Sequence, residues 1–162
     1  MAELTYISLG WGVQSFALAA MSALGALPPV DAAIHADTTH ERSETYAFAK
    51  RWTPWLEARG IRVVTVKDKK APPRILDPNS GQVYAPLFTL SQKGTRGQLR
   101  RSCTQRWKIA PIRRWISAEL GRRGLSKVPG VVSQWMGITF DEMERAKTSD
   151  VQYIVNRFPF RS

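Results

Sequence analysis

A single cysteine, Cys103, stands in the whole chain. That excludes an intrachain disulfide, and it excludes a four-cysteine zinc or iron–sulfur site within one chain. Long apolar runs are missing as well: none approaches the roughly 20 residues needed to cross a bilayer. The opening Met-Ala-Glu-Leu-Thr is acidic and short, unlike a secretory signal. Acids are scarce, 13 Asp and Glu against 24 Lys and Arg, for a formal net charge of +11. Yet 43% of the 162 residues are apolar, enough to build a core. A disordered polycation, a collagen-like repeat and a disulfide scaffold are therefore excluded. The expectation is a soluble, cytoplasmic protein of a reducing compartment, one domain spanning 1–162, with no membrane partner.

The charge is uneven. Residues 1–60 carry four basic and six acidic side chains, whereas the segment from Lys93 to Lys127 carries eleven basic ones and a single acid, Glu119. Such a segment either is a solvated face or attracts a polyanion such as nucleic acid through screened Coulomb forces. Trp107, Trp115 and Trp135 lie in or near it. They either stack on bases or belong to the core.

Apolar patterning predicts strands over 4–9, 30–36 and 61–66, with helices over 13–24 and 41–59 between them. Pro54 is expected to kink or divide the second helix. A strand–helix–strand–helix–strand run predicts parallel strands with helical crossovers. Residues 67–106 form a basic excursion, rich in proline over 67–101, expected to be long and partly mobile. A helix over 107–120 follows, with Pro111 tolerated near its start. Then come a strand over 131–138, a short helix over 141–146 and a strand over 152–155. The fold class expected is α/β, a three-layer open parallel sheet of about five strands. The chain stops at Phe158-Pro159-Phe160-Arg161-Ser162 without a closing helix. That end reads as truncated, or as completed by a second copy or a partner protein.

The turn Ser8-Leu9-Gly10-Trp11-Gly12-Val13-Gln14-Ser15 sits between the first strand and the first helix. Glycines let a backbone approach a ligand, and a helix N-terminus offers free N–H groups and the positive end of its dipole to an anion. Ser8 and Ser15 add hydroxyls. The turn is neither GxGxxG nor GxxxxGK[ST]. Its alternatives are a phosphate or sulfate cradle and a tight turn with no ligand.

This turn resembles the SGGxDS-type loop of the PP-loop ATP pyrophosphatases, and more closely that of the phosphoadenylyl-sulfate reductase family. Three other stretches agree. Asp37-Thr38-Thr39-His40-Glu41-Arg42-Ser43-Glu44-Thr45-Tyr46 is similar to the family's DTG-x-x-x-x-ETY. Arg101-Ser102-Cys103-Thr104-Gln105-Arg106-Trp107-Lys108-Ile109-Ala110-Pro111-Ile112 is similar to its C-x-x-x-[RK]-K-x-x-PL. Gly137-Ile138 with Asp141, Glu142 and Arg145 is similar to its G-[IL]-R-x-x-[DE]-S-x-x-R. The four come in the family's order and span 8–145.

The resemblance implies an adenine nucleotide α-hydrolase-like fold that binds ATP or another adenine nucleotide (AMP or phosphoadenylyl sulfate), with magnesium as an accompanying ion. The nucleotide would meet Ser8, Gly10, Gly12, Val13, Gln14 and Ser15 with its phosphates or sulfate, pass Ala36 and Asp37 with its adenosine, and lie near Gly137. Arg106, Lys108 and Arg145 would clamp the anionic end bidentately or as point charges. Cys103, among cations that favour its thiolate, either carries sulfur or is a remnant without chemistry. His35 and His40 flank Asp37 but are not an i, i+4 pair, and no metal site is assigned to them; Glu44 complements the dipole of the following helix.

The chain departs from the family at three points. Gln14 stands where the pyrophosphatases carry Asp. Trp11 fills a position that is often glycine and is expected to crowd the cradle. The family's cysteine-bearing C-terminal tail is missing, so a stand-alone reductase is not expected. The two functions weighed are a PP-loop enzyme that cleaves or transfers an adenylyl group, or moves sulfur, and a module that keeps the fold without the chemistry and binds nucleic acid or a partner through its basic segment.

Overall fold

β-Branched and aromatic residues open the chain as strand β1 (Leu4–Ser8), and the alanine-rich stretch after the glycine turn forms α1 (Val13–Ala23). They are followed by β2 (Ala32–Asp37), α2 (Ser43–Glu57) and β3 (Val63–Lys67). The computed structural model describes residues 2–68, 76–77, 82–83, 88–90, 94–98 and 104–161. Within the excursion it describes two short antiparallel pairs, β4 (Leu76–Asp77) with β5 (Gln82–Val83) and β6 (Phe88–Leu90) with β7 (Arg96–Gln98). A π-helical turn, Thr104–Ile109, runs into α3 (Ala110–Arg122). After it come β8 (Val132–Trp135), a 3-10 turn at Phe140–Arg145, β9 (Ile154–Arg157) and a last 3-10 turn, Pro159–Arg161.

Five strands pair in parallel in the order β3-β2-β1-β8-β9. The expected α/β class with an open parallel sheet is therefore what the chain adopts. Side-chain alternation along β1 assigns its two faces. Leu4 and Tyr6 pack with Ile112, Ile116 and Leu120 of α3. Ile7 and Leu9 pack with Leu18 and Ala19 of α1 and Leu56 of α2. Helices thus lie on both faces, giving three layers, as parallel sheets require. Each large side chain buried completely here contributes about 1.5–3 kcal/mol.

Two local expectations are corrected. α2 runs through Pro54 as one helix, so the proline does not divide it. The proline lies near its C-terminal end and leaves only the Lys50 carbonyl without its amide partner, while the Thr53 hydroxyl donates back to the Ala49 carbonyl at 2.8 Å. The third helical stretch starts earlier than 107 and ends later than 120. Its π turn stands just before Pro111, whose missing N–H already interrupts the ladder there.

The strand order reverses at β1, between β2 and β8. In open α/β sheets the crevice at the carboxyl ends of the strands beside such a reversal is the usual ligand position. Elsewhere, β8 and β9 border a second opening, although Trp135 of β8 still packs against the core shared with α1 and α2. A cavity of about 1020 Å³ opens there, lined by Leu27, Pro28, Trp135, Val155, Phe158 and Pro159 among others. It shares no residue with the turn after β1. No helix among the described residues is long and apolar enough to cross a membrane.

Candidate functional site

The turn from β1 to α1 is held by its own backbone and one hydroxyl. The Leu9 N–H donates to the Ile34 carbonyl at 2.8 Å, tying the exit of β1 to β2. The Ser15 hydroxyl accepts the Gly10 N–H at 3.1 Å and donates to the Gly12 carbonyl at 3.2 Å. Its proton is used inside the turn, so Ser15 shapes the turn itself. Gly12 is the N-cap of α1, and no side chain caps the helix. The first-turn amides therefore keep the donor capacity that helix starts leave over. A Cβ at Gly12 would meet no atom within 4 Å, so there is open space beside the N-cap.

Trp11 does not crowd this room. Its backbone takes the left-handed conformation, φ 59°, which explains why glycine would suit the position. Its indole turns into the layer between the sheet and the helices. There it lies 6.4 Å from Phe16, 6.3 Å from Phe48 and 6.4 Å from His35, ring centre to ring centre, and is 7% exposed. Burial of the aromatic surface offsets a backbone strain of about 1–3 kcal/mol.

The loop after β8 rests directly on the start of α1. A Cβ on Gly137 would lie 2.6 Å from the Gln14 carbonyl carbon and 2.7 Å from the Ser15 nitrogen. Only glycine fits that approach. Beside it the Gln14 amide donates to the Thr139 hydroxyl at 3.1 Å, and that hydroxyl donates to Asp141 at 2.5 Å. The same hydrogen bond holds the Asp141 carboxyl below the usual carboxylate range. Gln14 thus acts as a neutral tether across the reversal of strand order.

The end of β2 supplies the third wall. One Asp37 oxygen accepts the Thr39 N–H at 2.7 Å and the Tyr46 hydroxyl at 2.8 Å. Desolvation and the bond to Asp37 push the Tyr46 phenol up. Thr39 has φ 62°. The Thr38 hydroxyl donates to Glu41 at 3.0 Å, and the Lys108 ammonium lies 3.5 Å from the same Glu41 oxygen. The His40 ring stacks on Trp107, 5.4 Å apart and tilted by 9°. His35, beneath, donates from Nδ1 to the Leu9 carbonyl at 3.1 Å, and burial pushes its pKa down, which favours the neutral ring. Glu44 lies in the first turn of α2, where an acid complements the dipole.

The fold therefore gathers Ser8, Gly10, Gly12, Val13, Gln14, Ser15, Ala36, Asp37 and Gly137 at one edge of the sheet, with Lys108 on the Thr104–Ile109 turn that packs against β2. Arg106 and Arg145 belong to the Thr104–Ile109 and Phe140–Arg145 turns, but their side chains, and Cys103 entirely, lie outside the described residues. Thr139 is a site residue that motif reading missed. It is visible only through its bond to Gln14, 125 positions away. Among the described residues no group of three or more His, Cys, Asp or Glu side chains converges to hold a metal.

The basic segment looks different once folded. Arg113 pairs with Asp150, and Arg114 with Asp68 at 3.2 Å. Arg122 pairs with Glu119 at 2.6 Å, while Arg123 reaches both Glu119 at 3.0 Å and Asp31 at 2.8 Å. Lys127 lies 5.4 Å from the centre of the Tyr153 ring. Glu119 is buried, and the hydrogen bond from Arg122 leads the causes that pull its carboxyl down to about 2. Trp107 is buried, and Trp115 packs against the α3-side core with the Arg62 guanidinium 5.5 Å from its ring centre. Compared with known families and characterised proteins, the chain matches neither a family model nor a curated sequence.

Proposed function

We propose that the chain binds an adenine nucleotide at the carboxyl edge of its sheet, as a PP-loop protein of the phosphoadenylyl-sulfate reductase-like type. One observation carries this reading. At the reversal of strand order, the uncapped start of α1, with open space beside Gly12, follows the strand next to β2, and Gly137 packs on the backbone of Gln14 and Ser15. A phosphate or sulfate group fits such a place because backbone amides and the helix dipole meet its charge without a dedicated cation. The Gln14–Thr139–Asp141 tether and the Asp37–Tyr46 bond hold the two flanking walls in position. Amides fixed in this way would stabilise charge that develops on a phosphoryl oxygen during adenylyl cleavage or transfer, or during sulfur transfer.

A second reading, a module without turnover, is favoured by Gln14. Its amide is a hydrogen-bond donor to Thr139 and offers no carboxylate to a magnesium ion. Thermal stabilisation by ATP, AMP and phosphoadenylyl sulfate, followed by an assay for pyrophosphate release, separates the two. Stabilisation with release supports the enzyme, and stabilisation without release supports the module. No stabilisation by any of the three removes the nucleotide reading. Gly12→Val combined with Ser15→Ala is expected to abolish binding, and unchanged affinity in that variant would contradict the cradle.

A further inference from the structure

One ion pair beside the cradle is arranged unlike those on α3. Two successive residues of the loop after β2 meet two successive residues of the π turn: His40 stacks on Trp107, and Glu41 faces Lys108. The members of the ion pair are not equally held. The Glu41 carboxylate is 26% exposed and is fixed by the Thr38 hydroxyl, whereas the Lys108 side chain is 52% exposed and contributes a flexible four-carbon stem. The carboxylate is the anchored partner and the ammonium the movable one. Both act electrostatically on His35, whose ring is bonded to Leu9 at the base of the cradle turn. The pair joins the loop after β2 to the turn that packs against β2, and β2 is the strand paired with β1, from which the cradle turn leaves.

We infer that Glu41 is a built-in competitor for Lys108: it retains the ammonium while the cradle is free of anions and yields it to a phosphate chain bound there, so that it sets selectivity by ligand charge. This rests on the nucleotide reading above. A nucleoside without phosphate has nothing to draw Lys108 away. A monophosphate competes weakly with a fixed carboxylate. A triphosphate carries several charges against one and wins the exchange. Glu41 therefore costs a ligand the pair in proportion to how far it draws Lys108 away, most for a triphosphate, less for a monophosphate and nothing for an uncharged ligand.

The test measures affinities of the full chain for adenosine, AMP and ATP at low and high salt, for wild type, Glu41→Gln, Lys108→Gln and the double variant. Glu41→Gln retains an oxygen acceptor for Thr38, so the loop keeps its hydrogen bond. Its ATP affinity is expected to rise about two- to five-fold, the range of a partly exposed ion pair, with a smaller gain for AMP and none for adenosine. In the Lys108→Gln background the same substitution should change nothing. High salt should shrink the gain. A uniform loss for all three ligands in Glu41→Gln would assign Glu41 a merely structural role and overturn the inference, as would a gain that persists without Lys108. If wild type binds none of the three, the nucleotide reading itself fails. If wild type binds ATP and Glu41→Gln is indifferent, only the competition between Glu41 and Lys108 fails.

Discussion

The turn after β1 and the helix α3 handle charge in opposite ways. α3 is rich in cations, yet Arg113, Arg114, Arg122 and Arg123 each have a carboxylate within ion-pairing distance. The turn has no charged side chain from Ser8 to Ser15, yet it leaves helix-start amides uncapped beside open space. A count of charges would direct an anion to the first region. The placement of unused donors, on the reading proposed above, would direct it to the second, because a cation already satisfied by a neighbouring acid has little attraction left to offer.

The sharpest way to break this comparison is Gly137→Ala. The new Cβ would press within 2.6 Å of the backbone at Gln14, and backbone cannot swing aside as a side chain can. A loss of about 3 kcal/mol or more is expected, seen as a large fall in the thermal midpoint. Gly12→Ala is its counterpart. The added methyl meets nothing, and φ −76° suits any residue. The fold should lose under about 1 kcal/mol, so any larger effect must appear in ligand affinity. A Gly12→Ala protein as unstable as Gly137→Ala would show that the turn is packed, contrary to the open room described.

Trp11→Gly comes next. It relieves the left-handed backbone but removes a buried indole, and a net loss of about 2–3 kcal/mol is expected by chemical denaturation. A stabilised variant would mean that the indole contributes little among Phe16, His35 and Phe48.

On α3, Glu119→Gln should cost about 2 kcal/mol, since Arg122 and Arg123 lose their common acceptor charge. The carboxyl is depressed in the folded chain, so its stabilisation is present above the ordinary carboxylate range and is lost as pH falls toward about 2. An acid titration of stability should lose that contribution in the Glu119→Gln variant. Identical acid profiles would show that the helix does not depend on pairing. The smallest effect belongs to Tyr46→Phe. Removing its hydroxyl from Asp37 should cost about 1 kcal/mol, and on the proposed reading it should weaken nucleotide binding only through the loop it steadies.

Much of the architecture can be read in the chain itself. Alternation in β1 and helical spacing in α2 are local properties, and they yield β1 through β3 with ends shifted by one or two residues. The parallel arrangement follows because short strands separated by helices leave few other topologies. The turn after β1 is readable for the same reason, since Gly10 and Gly12 sit where a strand hands over to a helix. Tertiary events were hidden. Nothing near Trp11 in the chain announces that its indole falls between α1 and α2, because Phe48 comes from another element. The pairing of Arg123 with Asp31 spans 92 positions, and no composition window of the basic segment contains that acid. Thr139 was missed because a lone threonine has no signature until the loop after β8 meets Gln14.

The position of β1 in the sheet also orders events in time. It is the earliest strand of the chain, but it is flanked on one side by a strand whose pairing partner comes 128 residues later, as Leu4 with Val132 shows. Pairings so distant must overcome a large loss of chain freedom before they return any contact energy. The seat of Gly137 on α1 forms only after that meeting. A molecule that binds at this seam would act as a clasp on the slowest join in the sheet, resisting unfolding of far more chain than it touches.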